Sequence, residues 1–431
     1  MIQKLKMIYN DKRPWFYLVT TAAWGGILAI IVLLINTKAV PIINQVPDFL
    51  LTNVSLAESI LSTLAGALLT ITTFTFSTTM VVLTTYSSNY SPRVVENFLQ
   101  DRRTMKVLGT FIGGFLYSIT TLFFLGEIFT SDRVLSASVA ILYALWCVIQ
   151  FVIFIFAVAN SVQAQNLISS LYHEAKDIVE TFIDENKSRR RDSYKTDYFA
   201  NQDEIFADES GYLVVLDSNE IHNNLSGREY RLVIHPQIGD FISKGDPLAL
   251  LLSHENDKEL ADTSKKIRKS FNFSSKRYTI TDYRYAIQKL VDIALRAISP
   301  GINDPNTAIS CIHSLELLTG RLGTIEGDYQ IIEAPNVDEG TFADLILENY
   351  NFRNDLYDTY SQLIHYGKKD ISVVVALLDA MAGAIITSSP GNQTHLREMA
   401  QYIYESCRNN FDHPMDRAQI EKRMRKIFAI S

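Results

Sequence analysis

The sequence predicts an α-helical integral membrane protein. Four transmembrane helices come first, followed by a cytoplasmic α+β region made of a small β-barrel or sandwich module and a helical bundle. Three observations carry this reading. Apolar residues concentrate in roughly the first 165 of the 431 positions. Four runs there reach the ~20 helical residues needed to cross about 30 Å of hydrocarbon. The rest reads as a charged, soluble-type chain, first with strand-like punctuation and then with helical periodicity. The expected organisation is a four-helix membrane domain at 1–165, a helical stalk and charged linker at 166–204, a β module at 205–253, and a mainly helical domain at 254–431.

The first run, Trp15 to Ile35, opens on Trp15, Phe16 and Tyr17, the aromatic residues favoured at a membrane interface. It is too long for a signal peptide, and no clear small-residue cleavage site follows. The others run from about Leu56 to Tyr86, Val107 to Phe129 and Val134 to Ala159. Basic residues fix the expected orientation. Lys4, Lys6, Lys12 and Arg13 precede span one; Arg93, Arg102, Arg103 and Lys106 lie between spans two and three; Lys176, Lys187, Arg189, Arg190 and Arg191 follow span four. The two remaining loops carry only Lys38 and Arg133. Both termini are therefore expected in the cytoplasm.

Span two is rich in hydroxyls. Placed on a helix, Ser59, Thr63, Gly66, Thr70, Thr73, Ser77 and Thr84 fall on one face, because residues three and four apart are neighbours. Met80 interrupts the series; Ser87 and Ser91 continue it. Thr72, Thr75 and Thr79 form a neighbouring group. One reading is helix packing through small residues, with each hydroxyl satisfied by a carbonyl one turn back. The other is a water-lined path, since hydroxyls offer donors and acceptors to a solute without holding it tightly. The predicted external side is acidic: Glu58 opens span two, Glu127 ends span three, and Asp48 and Asp132 are in the loops. Acidic rings favour cations at a pore mouth, although loop carboxylates are ordinarily just solvated. Four spans enclose no wide pore in one chain, so conduction requires a homo-oligomer. Span three holds Gly109 and Gly113 in GxxxG spacing, which suits close helix contact. The helical pattern after span four runs on without Gly or Pro to about residue 187.

Residues 186–204 form a charged, turn-rich linker. After it, Gly239-Asp240 and Gly245-Asp246-Pro247 punctuate short strands. The stretch "GDFISKGDPL" resembles the hammerhead hairpin of lipoyl- and biotinyl-type barrels, but the Met-Lys-Met carrier tripeptide is absent. The remainder reads as helices: 279–298 with its cap at Thr281 and Asp282 behind it, a helix from Asp304 and Pro305, then 341–366, 370–388, 392–410 and 414–428. "SPGIND" is a corner between the first two of these. Its alternative role is a ligand corner built from Ser299, Asn303, Asp304 and the amides of the second helix.

Catalytic, cofactor and metal signals are missing. There is no phosphate loop, HExxH or GxSxG, and Cys147, Cys311 and Cys407 have no metal-ligand or disulfide spacing. The net charge of −7 gives no reason to expect nucleic acid as a partner. Two long stretches, "RYAIQKLVDIALRAISPGINDPNTA" and "LSTLAGALLTITTFTFSTTMVVLTTYSSNYSPR", resemble the bacterial predicted-membrane-protein family known as domain of unknown function 2254. The resemblance covers nearly the whole chain and implies a bacterial inner-membrane protein, with no assigned activity or catalytic residue. From the residues themselves, the expected function is a non-enzymatic oligomeric channel that favours cations among inorganic ions, lined by span two, with the cytoplasmic domain gating or sensing. The competing expectation is a non-conducting, membrane-anchored scaffold or signalling module. A secondary transporter fits poorly, because neither internal repeats nor Pro-broken spans occur.

Overall fold

The computed structural model describes residues 2–37, 46–94, 102–128, 133–161, 163–186, 190–191, 199–225, 228–327, 329–333, 343–348 and 350–430. They form two compact units, one spanning Ile8–Asn166 and one built on the residues from Leu167 onward.

The first unit holds α1 (Ile2–Asn36) from Ile8 onward, α2 (Val54–Asn89), α3 (Arg102–Ile128) and α4 (Ser136–Ser161). Their spans Trp15–Asn36, Val54–Ser88, Arg102–Leu125 and Ser136–Asn160 are long and apolar enough to cross a membrane. Half of the α3 window is buried, against 28% or less in the other three, so α3 is the central helix. Glycine explains how it gets there. A Cβ on Gly25 would overlap the Gly113 carbonyl, and one on Gly109 would overlap the Thr21 side chain. The GxxxG spacing is thus the seam on which α1 and α3 approach backbone to backbone. Ala29, Val32, Ala57, Leu61, Tyr117, Leu125 and Ala137 close the core on one side of this seam. At one end the loop residues are cross-linked. Thr52 and Val134 exchange backbone hydrogen bonds of 3.0 and 2.8 Å. Asn36 Nδ2 donates to Ser136 Oγ at 2.6 Å, and the Leu135 amide donates to Asn36 Oδ1 at 3.0 Å. Ser138 Oγ donates to the Leu50 carbonyl at 2.6 Å. Buried polar groups here are paired with each other, as a dry interior requires.

The helix expected to run unbroken to residue 187 does not form. Its ladder stops at Ser161 and restarts as α5 (Ala164–Asn186). Nor is α5 a free-standing stalk. It buries Leu167, Ile168, Leu171, Ala175, Val179 and Ile183 within the second unit, a stripe at three- and four-residue spacing. Glu174 and Glu180 on α5 meet Lys289 and Arg321 downstream, and Phe182 packs on Tyr283 at 4.4 Å between ring centroids.

The second unit then forms β1 (Arg190–Arg191), β2 (Asn201–Phe206), β3 (Gly211–Leu216), α6 (Ser218–Asn224), β4 (Tyr230–Ile234), β5 (Phe241–Ile242), β6 (Pro247–Ser253), α7 (Asp257–Arg268) and β7 (Phe271–Ser274). Next come α8 (Tyr283–Ala297), α9 (Pro305–Leu322), β8 (Tyr329–Glu333), β9 (Ala343–Leu347), α10 (Phe352–Gly367), α11 (Ile371–Thr387), α12 (Pro390–Cys407) and α13 (Pro414–Ala429). One sheet has the order β1-β8-β9-β4-β6-β2 and the other β5-β3-β7. Leu213, Ile242 and Phe271 of the small sheet share a core with Leu232, Leu251 and Leu345 of the large one. This arrangement is a sandwich; no closed barrel is seen among the described residues. Beyond the β module expected at 205–253, β7, β8 and β9 join these two sheets from later in the chain. The parallel β4–β9 pair sets Arg231 opposite Asp344, and the two buried side chains bond twice, at 2.8 and 2.7 Å.

The expected 341–366 helix is also corrected: 343–347 is strand β9, and α10 begins at Phe352. Five consecutive buried residues, Ala343 to Leu347, suit a strand covered on both faces. The α8 cap is Asp282, whose side chain accepts from the Tyr285 amide; the Thr281 hydroxyl instead donates to the Val214 carbonyl. Asp304 and Pro305 start α9 as read from the sequence. The apolar α11 is buried on nearly every side and forms the helical core.

Candidate functional site

Two places concentrate features that packing alone does not use. The first is α2. Its buried side runs Ala57, Leu61, Ala65, Leu68, Thr75, Thr79, Val82 and Tyr86. Ser59, Thr63, Gly66, Thr70, Thr73, Ser77 and Thr84 are all exposed in the single chain. At 3.6 residues per turn these two series lie on opposite sides of the helix. The neighbouring group Thr72, Thr75 and Thr79 is the one turned toward the core. Large apolar residues flank the exposed stripe: Leu69 and Phe76 on one side, Phe74 and Val81 on the other. The outward side of α4 is different. There Leu142, Leu145, Val148, Ile149, Val152 and Phe156 are exposed, a uniformly apolar surface.

Each threonine of the stripe donates to the carbonyl four residues back: Thr63 to Ser59 at 2.8 Å, Thr70 to Gly66 at 2.9 Å, Thr73 to Leu69 at 3.0 Å and Thr84 to Met80 at 2.9 Å. The proton is spent within the helix. What remains on the outside is a column of oxygen lone pairs. No side chain approaches the position of a Cβ on Gly66, so the stripe is unobstructed at mid-helix.

The acidic end is less uniform than the sequence suggested. Glu58 lies in the second turn of α2 and is half-buried. Asp48 is highly exposed and pairs with Arg133 at 2.8 Å, which cancels its charge locally. The side chain of Glu127 and the whole of Asp132 lie outside the described residues, as do 38–45 of the first loop and 192–198 of the linker. The Ser299, Asn303 and Asp304 corner is tightly self-bonded. Ser299 Oγ donates to the Arg296 carbonyl at 2.6 Å, Asn303 takes φ 52°, and Asp304 accepts from the Thr307 amide and hydroxyl at 3.2 and 2.6 Å.

The second place is a cleft of about 430 Å³ in the second unit, bordered by the Gln237–Asp240 turn, the start of α8 and one side of α10. None of the three corner residues lines it. The turn is built by Gly239, at φ 95°, where a Cβ would overlap the Asp282 carboxylate. Only glycine accepts both constraints. Asp240 closes the turn by accepting from the Gln237 amide at 2.8 Å. From α8, Arg284 donates to Asp240 and to the Ile238 carbonyl, both at 2.9 Å. Beside it, buried Tyr283 donates to Asp355 Oδ2 of α10 at 2.6 Å. Burial pushes the Asp355 carboxyl up to about 6, against the opposing pull of the Tyr283 hydroxyl and the Arg284 guanidinium. A buried carboxyl raised by burial and set in a polar cleft makes this a candidate binding site. Sequence reading missed this cleft. Its one local signal is the Asp355, Asp358, Thr359 and Gln362 series on α10, polar residues at helical spacing; the partners on α8 and in the turn are ~70 or more residues away in the chain. No group of three side chains able to hold a metal occurs among the described residues.

The family model described as "Predicted membrane protein (DUF2254)" matches residues 11–383. Uncharacterized proteins of Mycobacterium bovis and Mycobacterium tuberculosis are each 23% identical over 376 residues, covering 84% of this chain and 70% of the relative. No solved structure matches the chain. The apolar four-helix unit and the match across most of the chain lead to one conclusion: this protein belongs to the predicted membrane protein family DUF2254.

Proposed function

We propose that the chain is a subunit of an oligomeric, cation-favouring channel in the bacterial inner membrane, with both termini in the cytoplasm. In this reading α2 lines the path through Ser59, Thr63, Gly66, Thr70, Thr73, Ser77 and Thr84, Glu58 and Glu127 sit toward its outer mouth, and the second unit gates or senses. One observation carries the reading: the hydroxyl face of α2 points away from its own helix core, while the outward side of α4 is apolar. A lipid-facing helix gains nothing from a transmembrane column of oxygens, and a water-filled path does. The column favours cations because its threonine protons are already donated to backbone carbonyls. Positive charge near the termini and between spans two and three supports the orientation.

A second reading is a non-conducting anchored scaffold in which the same face packs dry against another copy. The intrahelical bonds that hide each threonine donor favour it. Flux separates the two. Purified full-length protein in liposomes should pass potassium or sodium faster than chloride, and Thr73→Phe should reduce that flux by at least about ten-fold by filling the path. Absence of conductance across voltage, membrane tension and pH refutes the channel and leaves the scaffold.

A further inference from the structure

We propose that the cleft in the second unit binds a small aliphatic amine, a diamine or polyamine with primary ammonium groups. This inference does not depend on whether the chain conducts. The cavity, about 430 Å³, is within the range of small-molecule sites. Its charge balance is acidic: Asp240, Asp355 and Asp358 face Arg277 and Arg284, three carboxylates against two guanidinium groups. Both cations are already committed. Arg284 bonds Asp240 and a carbonyl at 2.9 Å, and Arg277 bonds the buried Asp282 at 2.7 Å. An anionic ligand would have to break one of these pairs, so the free valence of the cleft is negative.

Several acceptors of the cleft are uncommitted. Asp355 is only 8% exposed, yet just one of its oxygens is bonded to a side chain, by Tyr283. Its other oxygen has no hydrogen bond among the described residues and is not sealed from the cleft. The side chains of Asp358, Thr359, Gln288 and Gln362 line the same space and likewise make no hydrogen bond there. An ammonium, with three N–H donors, satisfies such a set better than a neutral ligand does. A bare metal ion fits less well, because no three metal-ligating side chains converge among the described residues. The apolar part of the cleft suits a methylene chain: Ile287 and Val291 are buried in its lining, and Tyr212 and Phe241 form an edge-to-face pair at 5.2 Å. Phe241 is exposed and can cover one ammonium by a cation–π contact.

The test is calorimetric titration of full-length protein in detergent at pH 8, with 1,4-diaminobutane and spermidine as probes and sodium phosphate as the anionic control. Saturable amine binding is expected. Asp358→Asn should weaken it about ten-fold or more, as loss of a charge-assisted contact implies. Gln362→Glu, which adds a carboxylate, should tighten it, and Asp262→Asn, at an exposed acid on α7, should leave it unchanged. No saturable amine binding overturns the proposal. So does an affinity indifferent to both cleft variants, or saturable phosphate binding in place of amine binding.

Discussion

The link between β4 and β9 is the most demanding test of how the second unit is held together. These strands are 113 residues apart in their pairing, and Asp344→Ala removes the carboxylate that bonds Arg231 at 2.8 and 2.7 Å. Both side chains are over 90% buried, so solvent screens little of the interaction. Removing one partner of a buried ion pair costs about 3–5 kcal/mol, much of it the burden of a guanidinium left without its carboxylate. For a unit of this size, each kcal/mol moves the midpoint by about 2–4 °C, so the expected fall is roughly 6–20 °C. Thermal unfolding of the detergent-solubilised full chain, followed by circular dichroism, measures it. The double variant Arg231→Met, Asp344→Leu should recover most of the loss, because well-packed apolar residues often replace a buried pair without penalty. A fall under about 2 °C for Asp344→Ala would refute the reasoning that this pair holds the late strand in register.

Three further outcomes follow from the same geometry. Gly109→Leu should destabilise the membrane unit by roughly 1–3 kcal/mol or more, because α1 occupies the space, whereas Gly66→Ala should have little effect; unfolding midpoints in detergent compare them. The Asp355 carboxyl is raised to about 6 from an ordinary 3.8, so the folded state binds its proton more readily than the unfolded chain. Stability is therefore lost as pH rises from about 4 to 6, by up to ~3 kcal/mol, and Asp355→Asn should be more stable than the parent at pH 8 but equal to it at pH 4. His235 is raised by its hydrogen bond to Glu348, so its contribution is present below about 6.5 and lost as pH rises through the shifted value. Since the pair is about one-third exposed, Glu348→Gln should cost under about 1 kcal/mol at pH 6 and nothing at pH 9.

Local physics made much of this molecule legible. The four spans, the GxxxG contact and the Asp304-Pro305 helix start each depend on residues within a turn or two of one another. The hydroxyl stripe was legible as a face of α2, but not the direction in which it points, since that depends on which side of α2 carries Ala57, Leu61 and Leu68 into the core. Strand β9 was misread as helix because five successive buried apolar or paired residues carry no period of their own. Its parallel partner β4 and the arginine bonded to Asp344 lie 113 residues away in the chain. The helix break at Gln163 has no Gly or Pro to announce it. The cleft was illegible for the same reason as the sheet order: Asp240, Arg284 and Asp355 come from three separated segments, and only the fold converts ordinary charged residues into a cluster.

The orientation of the α2 face in the assembled protein decides its role most directly. The measurement is cysteine accessibility in native membranes with a small, water-soluble, cationic thiol reagent, scanning single cysteines at 63, 66, 70, 73 and 77 of α2 and at 145, 149 and 152 of α4. The three native cysteines are buried, so background labelling is low. A water-filled path predicts modification at every α2 position, with loss of cation flux, and protection at the α4 positions. Stripe cysteines as unreactive as those on α4 would contradict the channel.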